Sequence, residues 1–440
     1  MLSWKRGVGL AVLCGLGLGG ISGTWADVPA EAPKPEYLGE IRRDANGQLI
    51  VVPFEKGTDA EAGSRPPSGG EVRGSAGKGD VDLPISRIIR VGPSHALKRI
   101  ADAAAIARDG DVIEIEAGDY VGDVAVWKQR ALVLRGVDGR PRLIANGVSV
   151  EGKGIWVMRG GDITVENIEF VSAQVPDRNG AGIRFEKGRL TVRNCRFAQN
   201  ENGILAGGGD LELTIEDSEF AHNGHGDGYS HHLYAGKMNR LSVSGSYFHH
   251  GQVGHLIKSR ARVNHLINNR ITDETGGRAS YEIDLPNGGV AWLVGNVIEQ
   301  SATTENSHLV SFGVEGYAPS PSRLVVAQNT FVNSRAEGGR ALRVAPGQPE
   351  VVVVNNVFIG RFDDAPASLG PGNVLAQAKD VVALDRLDLR PIKGRAITRQ
   401  AVAPIADIGV ELKREYDHPA STRPIAPPLL PGAVQTWFVQ

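Results

Sequence analysis

Cysteine is close to absent. Cys14 and Cys195 are the only two, and Cys14 lies in what reads as a cleaved leader, so the mature chain has no intrachain disulfide. Cys195 falls at a position expected to point inward, as a small buried hydrophobe. Aromatic residues are few, at 6%, and helical periodicity is missing from most of the chain, which argues against a helical bundle or helical repeat. Neither sign of charge is in excess. A formal net charge of −2 gives no electrostatic footprint for nucleic acid. The apolar run at 8–21 is too short to span a membrane. Glycine, by contrast, is plentiful, at 57 residues, and suits many tight turns between short strands.

The N-terminus reads as a secretory signal covering residues 1–26. Lys5 and Arg6 precede the apolar run, and the small-residue segment GTWA (23–26) stands before Asp27. Cleavage there would send the protein to the periplasm or outside the cell. A lipoprotein alternative through Cys14 is weakened by the bulky Leu13 before it. Residues 27–85, rich in Pro, Gly, Ser and Glu, read as a disordered linker. Residues 95–108 place Leu97, Ile100, Ala103, Ala104, Ile106 and Ala107 at helical spacing, after Pro93-Ser94 and before Asp109-Gly110. A short helix is expected there.

From about residue 86 to 360 one pattern recurs. A β-branched run is followed by a polar or small pair, then by Phe or Ile two residues on. It reads ITVENIEF to Phe170, LTVRNCRF to Phe197, LTIEDSEF to Phe220 and LSVSGSYF to Phe248. It continues to Ile271, Ile298, Phe331 and Phe358, at intervals of 23 to 33 residues. Self-similarity at that period marks a solenoid, and units of strands and turns make it an all-β parallel β-helix. The Phe/Ile position should stack inward. The residue two before it becomes Asn269, Asn296, Asn329 and Asn356 in four successive units, which predicts an asparagine ladder at an inward turn. The short helix would cap the open N-terminal end. Residues 361–440 lose the repeat, gain proline, and should drape along or cap the C-terminal end.

Each unit also carries a strand before the Phe/Ile strand, and in four middle units this strand is dense with chemistry: HHLYAGK (231–237), HLIKSR (255–260), YEIDLPNG (281–288) and HLVSFGVEG (308–316). Eight of eleven histidines fall between 222 and 265. Stacking at about 4.8 Å would turn these residues into lateral neighbours. The expected catalytic set is Lys258, Arg260, Glu282, Asp284 and Tyr234. The expected substrate-binding set is His231, His232, His255, Lys237, Asn287, His308 and Glu315. Lys258 beside Arg260 suits a base, since a neighbouring cation disfavours the ammonium. Glu282 and Asp284, two apart in a strand, should share a face. His232, His255 and His308 each precede a Leu and should be equivalent. The pairs His231/His232 and His249/His250 lack a metal-ligand spacing, so no metal ligands are assigned. NGHGDGYS (223–230) holds Asp227 among glycines without the alternating acids of a calcium loop. The cofactor is left open, with a divalent cation such as calcium among the options.

The coil and these residues together resemble the right-handed parallel β-helix proteins of the pectate-lyase-like superfamily, nearest the chondroitinase B and alginate lyase family. That family carries a catalytic lysine in an I-x-x-K-S strand followed by a turn and an N-x-F/I motif. Here His255-Leu256-Ile257-Lys258-Ser259-Arg260 leads to Asn268-Asn269-Arg270-Ile271, and the lysine carries over to Lys258. The family's next coil has an arginine within L-R-H-G, where this chain has Glu282-Ile283-Asp284-Leu285. The resemblance implies β-elimination, or epimerisation, of an acidic polysaccharide. Arg260, Lys237 and the histidines would neutralise the uronate carboxylate, Lys258 or a histidine would act as base and Tyr234 would protonate the leaving oxygen. Two alternatives stand beside it: a glycoside hydrolase using Glu282 and Asp284, and a non-catalytic module binding exopolysaccharide. The mature chain is expected to be a monomer with no membrane span and no nucleic-acid partner.

Overall fold

The computed structural model describes residues 39–43, 49–53, 87–304, 306–317, 321–364, 369–399, 401, 409 and 411–437. The proposed signal, 1–26, lies outside them. Within the segment read as linker, Gly39–Arg43 and Leu49–Pro53 pair as an antiparallel hairpin. The rest of 27–85 lies outside the described residues.

From Ile88 to Ala376 the chain winds through three parallel sheets of 11, 11 and 9 strands, each strand pairing with its equivalents one coil away. The first sheet runs from Ile88–Val91 to Glu350–Val354. The second runs from Asp119–Val121 to Val374–Ala376, and the third from Ala125–Trp127 to Arg340–Val344. The polar pair in the repeat makes the corner between the first two sheets. Its first member (Asn167, Asn194, Asp217, Gly245, Asn268, Gly295, Gln328 or Asn355) takes a positive φ of 47° to 67°. That left-handed bend favours Asn, Asp and Gly. Its second member points inward. Asn269, Asn296, Asn329 and Asn356 pass Nδ2 hydrogen bonds of 3.0 to 3.1 Å up the coils, and the ladder ends at Asn373. Cys195, Ser218 and Ser246 fill the same column lower down. Cys195 is buried, and burial pushes its thiol up to about 12.

Phe170, Phe197, Phe220, Phe248, Ile271, Ile298, Phe331 and Phe358 pair in one register up the second sheet. The rings of Phe197, Phe220 and Phe248 stack at 4.7 and 4.5 Å. All eight side chains are buried in a continuous core.

The helix is shorter than the spacing predicted. It spans Ile100–Ile106, because Leu97 is drawn into a bridge with Val91 and Arg99 is extended. Asp123 of the following coil accepts from the Ile100 and Ala101 N–H groups at 2.6 and 3.0 Å, which fixes the helix start. Ile100 and Ala103 are buried against the first coil, so the helix caps the N-terminal end.

Candidate functional site

The outward column of the third sheet reads Leu205, Tyr234, Lys258, Asp284, Ser311 and Arg343 in successive coils. Strand register alone therefore places Tyr234, Lys258 and Asp284 side by side. Lys258 Nζ lies 3.0 Å from Asp284 Oδ2 and 3.5 Å from Glu315 Oε1. Arg260 projects from the same strand end. Its Nε donates to the Tyr234 hydroxyl at 3.1 Å, and Nη1 donates to Asn287 Oδ1 at 2.7 Å. Its two Nη groups fork onto the Glu315 carboxylate at 2.6 and 3.0 Å. Glu315 is 45% exposed, whereas Asp284 is 3% exposed. Arg260 first, then Lys258, holds the Glu315 carboxyl below the usual range.

The edge where the chain enters this sheet forms a second column. Asn202 accepts from the His231 N–H, His231 Nδ1 from the His255 N–H, and His255 Nδ1 from the Tyr281 N–H, at 2.9, 3.0 and 3.1 Å. Each side chain thus satisfies the backbone one coil on. The two imidazoles stack at 4.8 Å and 7°. Accepting through Nδ1 leaves the proton on Nε2, and His255 Nε2 lies 3.5 Å from Asp284 Oδ2. Burial pushes His255 down to about 4 and His231 well below its ordinary value, so both are neutral. Asp284 Oδ1 accepts from Ser311 Oγ at 2.8 Å. Asp284 is thus gripped by a hydroxyl and an ammonium, with an imidazole N–H beside it.

Seven of the expected residues therefore share one surface: Tyr234, Lys258, Arg260, Asp284, His255, Asn287 and Glu315. His231 supports His255 from behind. Several expectations need correcting. Glu282 does not share a face with Asp284. It precedes the strand Ile283–Leu285, where the chain is still turning, and stands in line with His232, Leu256 and Leu309, all fully or almost fully buried. Neither carboxylate oxygen of Glu282 has a hydrogen-bond partner, and burial raises its pKa well above the ordinary value. The hydrolase pair Glu282/Asp284 is thereby separated. His232 is also interior. Its Nε2 bonds to the His249 carbonyl at 2.7 Å, and burial pushes it down to about 3, so it cannot touch a ligand on the outer face. The true equivalents are His231, His255, Tyr281 and His308, with Arg340 next. His308 is half-buried beside Asn306 and Ser307. Lys237 is exposed at the following corner, and no contact joins its side chain to the cluster. Asp227 closes its own turn, accepting from Tyr229 N–H and Ser230 Oγ. Asn223 is buried in a short ladder with Asn200.

Ser311, Tyr281 and Arg343 were missed. Arg343 lies in the Lys258 column, two coils beyond Asp284, and donates to the Tyr281 hydroxyl at 2.6 Å. Aligning the strands by column rather than by local density would have found all three.

A family profile described as "Right handed beta helix region" matches residues 182–365. The fold is thus an all-β right-handed parallel β-helix of about ten turns. Among solved structures, the chain is similar to a crystal structure of a pectin methylesterase mutant in complex with a hexasaccharide. Identity is 13% and the TM-score 0.37, over 57% of this chain and 80% of the other. No curated protein matches the sequence. Among the described residues, no helix is long and apolar enough to cross a membrane.

Proposed function

We propose that the outer face of the third sheet binds an acidic, uronate-bearing polysaccharide and cleaves it by β-elimination. One observation carries this: the Arg260 guanidinium holds a carboxylate, that of Glu315, in a two-pronged grip, with the Lys258 ammonium and Tyr234 hydroxyl alongside. Such a fork matches any planar carboxylate. Glu315 is half exposed, and a uronate carboxylate can take its place.

Neutralising that carboxylate favours removal of the adjacent ring proton, because negative charge spreads onto the carboxylate in the transition state. Lys258, having first released a proton to solvent, takes the ring proton and becomes an ammonium again. The C–H electron pair forms the C=C bond as the glycosidic oxygen leaves. The Tyr234 hydroxyl, which accepts from Arg260, keeps its own proton free to give to the leaving oxygen. Asp284 positions Lys258, held in turn by Ser311. The leader-like N-terminus supports export to the periplasm or beyond.

Incubation with a panel of acidic bacterial and algal polysaccharides tests the proposal. New ultraviolet absorbance from the unsaturated product is expected with at least one substrate, and Lys258→Ala should lower the rate about 10²- to 10⁴-fold. New reducing ends without absorbance, or normal turnover by the Lys258→Ala variant, would overturn it.

A further inference from the structure

A different corner of the coil gathers three histidines. His222 and His250 follow the strands Glu219–Ala221 and Tyr247–His249 and occupy the same left-handed bend in successive coils, with φ of 54° and 55°. Their rings lie 4.6 Å apart. His249 ends the second strand, edge-on to both rings at 5.8 and 4.9 Å. One ring nitrogen from each of the three lies within 4.8 Å of the others.

We propose that His222, His249 and His250 bind a divalent late first-row transition-metal ion, for which three imidazoles are a fitting donor set. Two further observations point to a ligand. His249 Nε2 lies 3.2 Å from Glu219 Oε1, and Arg196 grips the same oxygen at 3.1 Å. That carboxylate accepts a hydrogen bond from the Nε2–H, orients the ring and leaves the Nδ1 lone pair facing the cluster, as carboxylates behind metal-bound histidines do. Second, His249 Nδ1 and His250 Nδ1 face each other at 2.6 Å. Without an ion, one nitrogen must carry a proton to hold that contact. An ion replaces the proton, and the pair opens to about 3.3 Å, the spacing of two tetrahedral ligands at ~2.0–2.1 Å from zinc. The ion would tie together two coils whose next strands carry Tyr234 and Lys258. The spacing of these histidines gave no metal motif because only coil stacking brings His222 to the His249-His250 pair.

Untagged, chelator-treated mature protein, titrated calorimetrically with zinc, nickel and copper(II) chlorides in turn, should take up one ion per chain with at least one of them. The melting temperature should rise with that ion. His222→Asn and His250→Asn should each weaken binding more than tenfold, since asparagine tolerates the left-handed bend but is a poor ligand for such ions. Glu219→Gln should weaken it about 10- to 100-fold. Circular dichroism of the variants checks that the coil persists. No uptake by the parent protein, or uptake undiminished in both folded histidine variants, would overturn the proposal.

Discussion

Glu282 shows what a single residue costs in the wrong layer. Its neighbours in the inward column are Leu256 and Leu309, yet it brings a carboxyl with no hydrogen-bond partner into the core. Period-two alternation holds only within a strand. Ile283 is the first strand residue, so counting back from Asp284 to Glu282 crossed a bend and reversed the side chain. Asp284, Lys258 and Tyr234 lie inside their strands, and their shared face was legible. The pH consequence has a definite sign. A carboxyl whose folded pKa is raised contributes stability that is present below its unfolded value, about 4, and is lost as pH rises through the folded value. Asp273, raised to about 7 chiefly by burial, behaves the same way and adds its charge to the burden on Glu282. Buried His232 and His255 act oppositely, losing stability as pH falls below about 6.5. Glu282→Leu should therefore stabilise the fold by about 1–3 kcal/mol at pH 8 and by less at pH 5. Urea midpoints at both pH values measure this, and a gap that shrinks or reverses at pH 8 would refute the interior placement. The variant should keep full activity if Glu282 takes no part in the chemistry.

Among elements, the corner between the first and second sheets was the most legible. The polar pair announced an inward turn with an asparagine ladder, which the structure has; that the residue before each asparagine bends left-handed was seen only in the structure. Asn373 escaped notice because its coil closes with Val374–Ala376 and lacks the terminal Phe or Ile that marks the others. The histidine edge of the third sheet was misaligned by one position, since "His before Leu" fits both His232-Leu233 and His255-Leu256. Hydrogen bonding resolves it: His231 Nδ1 receives the His255 N–H. The asparagine ladder should be expensive to interrupt. Asn296 donates to the Leu266 carbonyl and to Asn329, and accepts from both the backbone and side chain of Asn269. Asn296→Ala leaves several buried partners unpaired, so a loss of about 2–4 kcal/mol is expected from chemical unfolding. A loss below about 0.5 kcal/mol would mean that the ladder fills space rather than holding the corner.

Across the whole molecule, the outer faces of the last coils differ from those of the first. Early strands of the first sheet alternate, and their outward residues form ion pairs such as Arg193 with Glu216 at 2.7 Å. Later strands read VAWLV, RLVVA and EVVVV, apolar on both faces, which is the pattern of strands covered on both sides. The cover is the C-terminal segment. Leu412, Ile425 and Leu429 pack against Trp292, Val294, Val325 and Val354 on the first sheet. Val381, Leu389, Ile397 and Ala433 pack against Val297, Val332, Val357 and Ile359 on the second. The Gln328 side chain donates to the Leu430 carbonyl, and the Ala433 N–H donates to Thr330 Oγ1, at 2.6 and 3.0 Å. The third sheet, which carries Lys258 and Arg260, takes no part in these two apolar clusters. Each large aliphatic side chain so buried contributes about 1.5–3 kcal/mol, and seven of them, with the Trp292 ring, would be bared together by a chain ending at Ala376. Such a chain should keep its coil, because the Phe and Asn ladders lie wholly before that point. It should also self-associate through the bared faces. Size-exclusion chromatography and thermal melts against the full chain measure both effects. A truncated protein that elutes as the full chain does, with an unchanged melting temperature, would show that residues 377–437 decorate the coil rather than seal it.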